Sequence, residues 1–120
     1  MGDFMDNKNI LREDSINFAI IISDICENIT GCSVYKNQII RSSSSIGANI
    51  HEAKYAQSRA DFINKLEVSL KETAETEYWI ELIYRKKKLT EAQYRLLKSR
   101  VGSIQRRLIA SITTAKNNSK

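Results

Sequence analysis

The sequence predicts an all-α protein, an antiparallel up-down-up-down four-helix bundle. Three observations predict it. None of the 120 residues is proline, so nothing forces a helix to stop or kink in mid-run. Apolar residues recur at the three- and four-residue spacings of a helix face in four stretches, and no window shows the alternation of a strand. The stretches are separated by short joins that carry capping residues, and short joins make consecutive helices antiparallel neighbours.

The first helix is expected over about 12–30, with Ile16, Ala19, Ile20, Ile22, Ile25, Cys26 and Ile29 as its apolar residues and Gly31 as the glycine that ends it. The second is expected over 34–56, after Ser33 as N-cap, with a stripe of Ile39, Ile46, Ile50 and Ala53. The third, over 59–87, follows Ser58, with Asp61 completing a capping-box-like signal. Its stripe is Ile63, Leu66, Leu70, Thr73, Glu77, Ile80 and Tyr84. The fourth is expected over 91–116 behind Thr90-Glu-Ala-Gln93, an S/T-x-x-E/Q box, with Leu97, Val101, Ile104, Leu108 and Ile112 inward. Residues 116–120 are expected to fray. The whole chain, 1–120, reads as one domain.

One segment breaks the usual composition of a helix. Arg41-Ser-Ser-Ser-Ser-Ile-Gly-Ala-Asn-Ile-His-Glu-Ala53 is small and polar, and Ser and Gly are poor helix formers. Small side chains let helix backbones approach closely, so the segment reads as a close-packing interface. The isolated Gly47 and Gly102 read the same way. Arg41, Ser45, Asn49 and Glu52 form a polar stripe, and Glu77 falls near the middle of the apolar face of the third helix. A buried carboxylate requires a partner. The expected structural network is therefore Arg41, Ser45, Asn49, Glu52, Glu72 and Glu77, with Arg41 as the partner of Glu77; the alternative is a solvated rim. Lys65, Glu72 and Trp79 mark a second face of the third helix, which suggests a subunit interface.

Charge is distributed unevenly. Residues 85–120 hold eleven Lys and Arg against Glu91 alone, a net of +10, whereas residues 1–84 hold eight basic and thirteen acidic residues, a net of −5. Such polarity steers a polyanion to one end or face. The candidate nucleic-acid-binding residues are Arg85, Lys86, Lys87, Lys88, Arg95, Lys98, Arg100, Arg106 and Arg107. Tyr94 is the only aromatic beyond Tyr84, so base stacking is not indicated and binding would be led by shape and charge.

Other chemistry finds little support. A carboxylate-bridged dimetal bundle needs Glu-x-x-His pairs, and the chain has none. His51, the single histidine, lies off the Ile46/Ile50 stripe and is expected at the surface. Ser42–Ser45 lack a histidine base, and no glycine loop suits a phosphate. The expectation is a non-enzyme with no metal and no cofactor. Cys26 and Cys32 form no metal motif; a disulfide is possible but unforced, and the reading is two reduced thiols in a cytoplasmic protein. Residues 1–6 lack a secretory signal, and no apolar run is long enough for a membrane span.

Three motifs in order also carry a resemblance. Arg41-Ser-x-x-Ser-Ile-Gly-Ala-Asn-Ile-x-Glu-Ala53, Ser58-Arg-Ala-Asp-Phe-Ile-x-Lys-Leu66, and Leu70-Lys-Glu-x-x-Glu75 with Glu77-Tyr-Trp-Ile80 resemble the bacterial 23S rRNA intervening-sequence proteins over about residues 12–112. The resemblance implies a four-helix fold and homopentamers with a central channel. That family is similar to the accessory variability determinant of diversity-generating retroelements, which works with a reverse transcriptase and binds nucleic acid. The motifs themselves are structural and name no activity. The function expected is a homo-oligomer that binds nucleic acid, RNA in the first instance, through its basic C-terminal surface. The alternative is a scaffold that docks an acidic protein such as a reverse transcriptase.

Overall fold

Hydroxyl caps place two of the four helix starts. The computed structural model describes the backbone of residues 2–118 and the side chains of residues 10–118. Its helices are α1 (Gly2–Glu27), α2 (Ser33–Ala53), α3 (Arg59–Arg85) and α4 (Glu91–Asn117). At α3, Ser58 Oγ accepts the Asp61 amide, and the Asp61 carboxylate reaches back to the amide of Gln57, one residue before the cap. At α4, both halves of the Thr90–Gln93 box form. The start of α2 departs from expectation. Its N-cap is Cys32, at φ 60° and without a side-chain hydrogen bond, and Ser33 is already helical. The adjoining Gly31 also has positive φ, so two consecutive left-handed residues reverse the chain and α1 ends earlier, at Glu27; α1 also begins earlier than the expected residue 12, at Gly2. α4 stays helical through Asn117 rather than fraying from 116; residues 119–120 of the expected frayed tail lie outside the described residues.

Hydrogen bonds give the helix directions. Thr76 Oγ1 lies 2.8 Å from Ser42 Oγ, Ser69 donates to the Ile46 carbonyl at 2.8 Å, and Lys65 reaches Glu52 at 2.9 Å. Numbers rise along α2 as they fall along α3, so the pair is antiparallel. Tyr94 to Glu81, Gln105 to Glu77 and Lys116 to Glu67 do the same for α3 and α4. Each helix packs on two others: α2 on α1 and α3, and α4 on α3 and α1. The result is an up-down-up-down bundle 49 Å long.

The stripes of α2 and α4 are buried as expected. That of α1 differs. Its inward face is Leu11, Ser15, Phe18, Ile22 and Cys26, with Ile29 buried just past its end, while Ile16 and Ile20 are exposed at 40% and 52%. The helix carries isoleucines on two faces, and the inner line is interrupted by Ser15, which disguises it. On α3, the buried line runs through Ser69, Thr76 and Ile83 as well as Leu66, Thr73 and Ile80. It is displaced toward α2 because three hydroxyl residues take core positions there.

Close packing explains those hydroxyls. Ser42, Ser69, Thr73 and Thr76 have no measurable exposure. The Ser69 bond to a backbone carbonyl of α2 requires α2 and α3 to lie close together. On the other flank of α2, a Cβ at Gly47 would stand 3.0 Å from Ser15 Oγ on α1. Gly102 has no such role: its Cβ would meet only Arg106 of the same helix, at 3.4 Å. Gly47→Ala would gain about 1 kcal/mol in an open helix, but Ser15 is buried and cannot swing aside. The expected result is net destabilisation by about 1 kcal/mol, reversing to a gain in a Ser15→Gly background. A urea-unfolding double-mutant cycle checks it; additive effects would show that α1 yields freely.

Candidate nucleic-acid interface

The α3–α4 turn is built to present lysines. Lys86 caps α3, Lys87 takes φ 63°, and the Lys88 amide bonds back to the Ile83 carbonyl at 3.2 Å. Leu89 is buried and pins the turn, leaving Lys86, Lys87 and Lys88 exposed. Lys86 Nζ stands 5.8 Å from the centre of the Tyr35 ring. α4 then turns Leu97, Val101, Ile104 and Leu108 inward, which carries Arg95 and Arg106 to its outer side.

Folding neutralises part of the C-terminal charge. Arg85 pairs with Glu81 at 2.8 Å, Arg95 with Glu91 at 3.4 Å, Lys98 with Glu77 at 3.8 Å, and Arg107 with Asp14 at 3.9 Å. Thus four of the nine predicted binding residues face carboxylates, three of them on α3 or α1. The acidic and basic halves of the sequence interleave in the bundle instead of forming separate poles. Lys87, Lys88, Arg100 and Arg106 have no ion pair among the described residues. With Lys86 they are the residual cationic surface, at the turn and on the solvent side of α4. Tyr94 is already engaged within the fold: it stacks on Tyr84 at 3.9 Å between centroids, and its hydroxyl donates to Glu81 at 2.6 Å.

The polar network differs from the one expected. Arg41 bonds Glu75 and Glu72 across the α2–α3 seam, with Glu72 at 3.3 Å. Glu77 instead faces α4, where Gln105 donates to it at 2.8 Å, and it is half-buried at the edge of the core. Residues 75 and 77 are two apart, so they project from opposite flanks of one helix and Arg41 can reach only the first. Ser45 and Asn49 bond carbonyls one turn back on α2, at 2.9 Å each, and do not cross to a neighbour. Glu52 takes Lys65. On the second face of α3, Lys65, Glu72 and Trp79 meet Glu52, Arg41 and Tyr35 of α2, and all three stay partly exposed. Glu75 was missing from the expected network; the Arg41/Glu75 pairing is hidden because 34 residues separate the partners.

Glu75 also accepts the indole N–H of Trp79 at 3.0 Å. That bond, then Arg41, holds its carboxyl below the usual glutamate range. A depressed carboxyl stabilises the fold above its unfolded pKa and loses that contribution as pH falls through its folded value. Trp79, the only tryptophan, provides the readout. Its fluorescence is expected to titrate below pH 4.5, with Arg41→Gln moving the transition upward and Glu75→Gln removing it. A midpoint unmoved by Arg41→Gln would show that the ion pair is not kept in solution.

Among the described residues, no three His, Cys, Asp or Glu side chains gather as a metal site. Both cysteines are free; burial raises the Cys26 thiol above its ordinary pKa, partly offset by Lys36. His51 is exposed, edge-on to Tyr55. Among the described residues, no helix is long and apolar enough to cross a membrane.

Comparison with known proteins agrees with this architecture. No curated protein matches the chain. A crystal structure of a Bacteroides thetaiotaomicron protein, of unknown function and from the S23 ribosomal protein family, is 43% identical. The match covers 89% of this chain and 98% of that one, with a TM-score of 0.85. The profile of the 23S rRNA-intervening sequence protein family matches residues 7–110, which takes in the serine-rich α2, all of α3 and the basic turn. On that match, supported by the shared four-helix structure, the chain belongs to the 23S rRNA-intervening sequence protein family.

Proposed function

We propose that the chain is a non-enzymatic homo-oligomer that binds structured nucleic acid, RNA before DNA, through the basic turn and the outer face of α4. The observation that carries the reading is the set Lys87, Lys88, Arg100 and Arg106, cations left without intramolecular carboxylates while their neighbours are paired. Unpaired surface cations are the groups that displace counterions from a phosphate backbone. The stacking of Tyr94 on Tyr84 argues for shape and charge over base stacking. RNA is favoured over DNA by the family resemblance and by the ribosomal-protein family of the Bacteroides relative.

Self-association is supported by a different surface. Ile16 and Ile20, with Ala19 of α1 and Ser44 and Ala48 of α2, line a shallow apolar groove of about 290 Å³. Exposed isoleucines beside small residues offer a helix-packing surface to a second copy. A pentamer is the stoichiometry that the family resemblance suggests. Repetition of a modest cationic patch around a ring multiplies affinity without new contacts.

The test is binding of a fluorescent structured RNA, and of duplex DNA of equal length, at two salt concentrations, with mass by light scattering. Affinity that falls steeply with salt, preference for RNA, and an oligomeric mass are expected. Absence of binding at low salt would overturn the nucleic-acid reading and favour docking of an acidic protein. A monomeric mass at micromolar concentration would overturn self-association.

A further inference from the structure

Three helix ends meet at the pole of the bundle opposite the lysine turn. α2 ends at Ala53, α3 begins at Arg59, and α4 ends at Asn117, all beside Leu11 of α1. Ala53, Ala56 and Ala115 line this junction, and their small side chains leave it unfilled. What remains is an open cavity of about 550 Å³, a size that takes small organic ligands. Leu11, Ile50, Phe62 and Leu66 supply its apolar wall. Arg12, His51, Lys54 and Arg59 supply its polar rim, and among the described residues no carboxylate lines it.

We propose that this cavity binds a small amphiphilic anion, a carboxylate on an unbranched alkyl chain, with the chain against the apolar wall and the carboxylate at Lys54 and Arg59. The charges support that orientation. Lys54 has no ion pair among the described residues; its ammonium stands 5.9 Å from the centre of the Tyr55 ring. Arg59 donates one bond, from Nη1 to the Ala115 carbonyl at 3.2 Å, and a guanidinium has further N–H groups to give. The third cation, Arg12, is shared with exposed Glu13. Asp61, the nearest acid in sequence to Arg59, is turned to the Gln57 amide. The apolar wall determines the rest of the ligand. A nucleic-acid backbone has no alkyl segment to bury there, so this site is distinct in chemistry and position from the basic turn.

The test is calorimetric titration of the full chain with decanoate below its micelle concentration. Decyltrimethylammonium serves as the same tail with the opposite charge, and acetate as the carboxylate without a tail. Saturable binding of one decanoate per chain is expected, with both controls at least about tenfold weaker. Ala56→Trp and Phe62→Trp, each adding bulk to the cavity, are expected to abolish binding while circular dichroism and melting stay near those of the parent. Lys54→Gln with Arg59→Gln is expected to weaken decanoate about tenfold and to remove its advantage over the cationic detergent. Non-saturable uptake, equal binding of the cationic detergent by the parent protein, or undiminished binding by a folded cavity-filled variant would overturn the proposal. The charge-removal pair supplies the decision if neither tryptophan variant folds.

Discussion

Ser42→Leu is expected to destabilise the bundle by about 3 kcal/mol, although it replaces a polar core residue by an apolar one. Ser42 has no measurable exposure and lies at the α2–α3 contact, with Thr76 Oγ1 at 2.8 Å. Four residues along, the Ser69 hydroxyl reaches an α2 carbonyl directly. A leucine has nowhere to go unless the two helices separate, and separation breaks the Ser69 bond as well. The hydrophobic gain of a buried leucine is about 2 kcal/mol, less than the combined cost of strain, a lost hydrogen bond and disturbed packing along the seam. Ser42→Ala removes only the hydroxyl and is expected to cost about 1 kcal/mol. Asn37→Leu, on the exposed side of the same helix, is expected to lie within about 0.5 kcal/mol of the parent. Urea midpoints with unchanged m-values check all three. A stabilised Ser42→Leu protein would show that the serines are tolerated in this seam and do not set its spacing.

The seam also shows what could be read from the sequence and what could not. Helix periodicity and hydroxyl caps are local, and Thr90-Glu-Ala-Gln93 forms the box its spacing predicts. The small residues at 42 and 47 likewise announce close approach before any partner is known. Partners are a different matter, because they depend on how two helices are rotated against each other. Glu77 and Glu75 illustrate this: both lie on α3, yet one faces α4 and the other α2. A stripe centred on Leu70 and Glu77 favours the wrong pairing for Arg41, whereas one centred on Ser69 and Thr76 gives the right one. Hydroxyl residues in the core hide that second centre. Ser15 does the same on α1, where Ile16 and Ile20 imitate a core face that proves to be solvent-facing.

Charge was legible in the wrong form. The net of +10 over residues 85–120 is a property of the chain, but the field outside the molecule depends on what α4 packs against. Asp14 and Glu77, on α1 and α3, oppose Arg107 and Lys98 of α4, and Glu81, one turn back on α3, opposes Arg85. An exposed ion pair contributes little stability, yet it removes a cation from the set that can readily release counterions.

That distinction gives the second large expected effect. Replacing Lys87, Lys88, Arg100 and Arg106 together by glutamine is expected to lower RNA affinity about a hundredfold near 0.1 M salt. The slope of log affinity against log salt should fall by about three to four per protomer contact set, because each cation that meets a phosphate contributes about one. The control removes equal charge from paired residues, with Arg85, Arg95, Lys98 and Arg107 replaced by glutamine. It should lose much less affinity, because each lost cation was already half-satisfied by a carboxylate, and the carboxylate it frees repels phosphate only locally. Arg107 sits closest to the α1–α4 contact, so this control is expected to melt earlier than the first variant, and binding is compared well below both transitions. None of the first four residues belongs to the core, so their replacement should leave helicity and oligomer mass unchanged. Equal losses from the two sets would mean that binding follows net charge alone. Loss confined to the paired set would move the interface to the α1–α4 and α3–α4 seams, where a polyanion would have to compete with Asp14 and Glu77 for its cations.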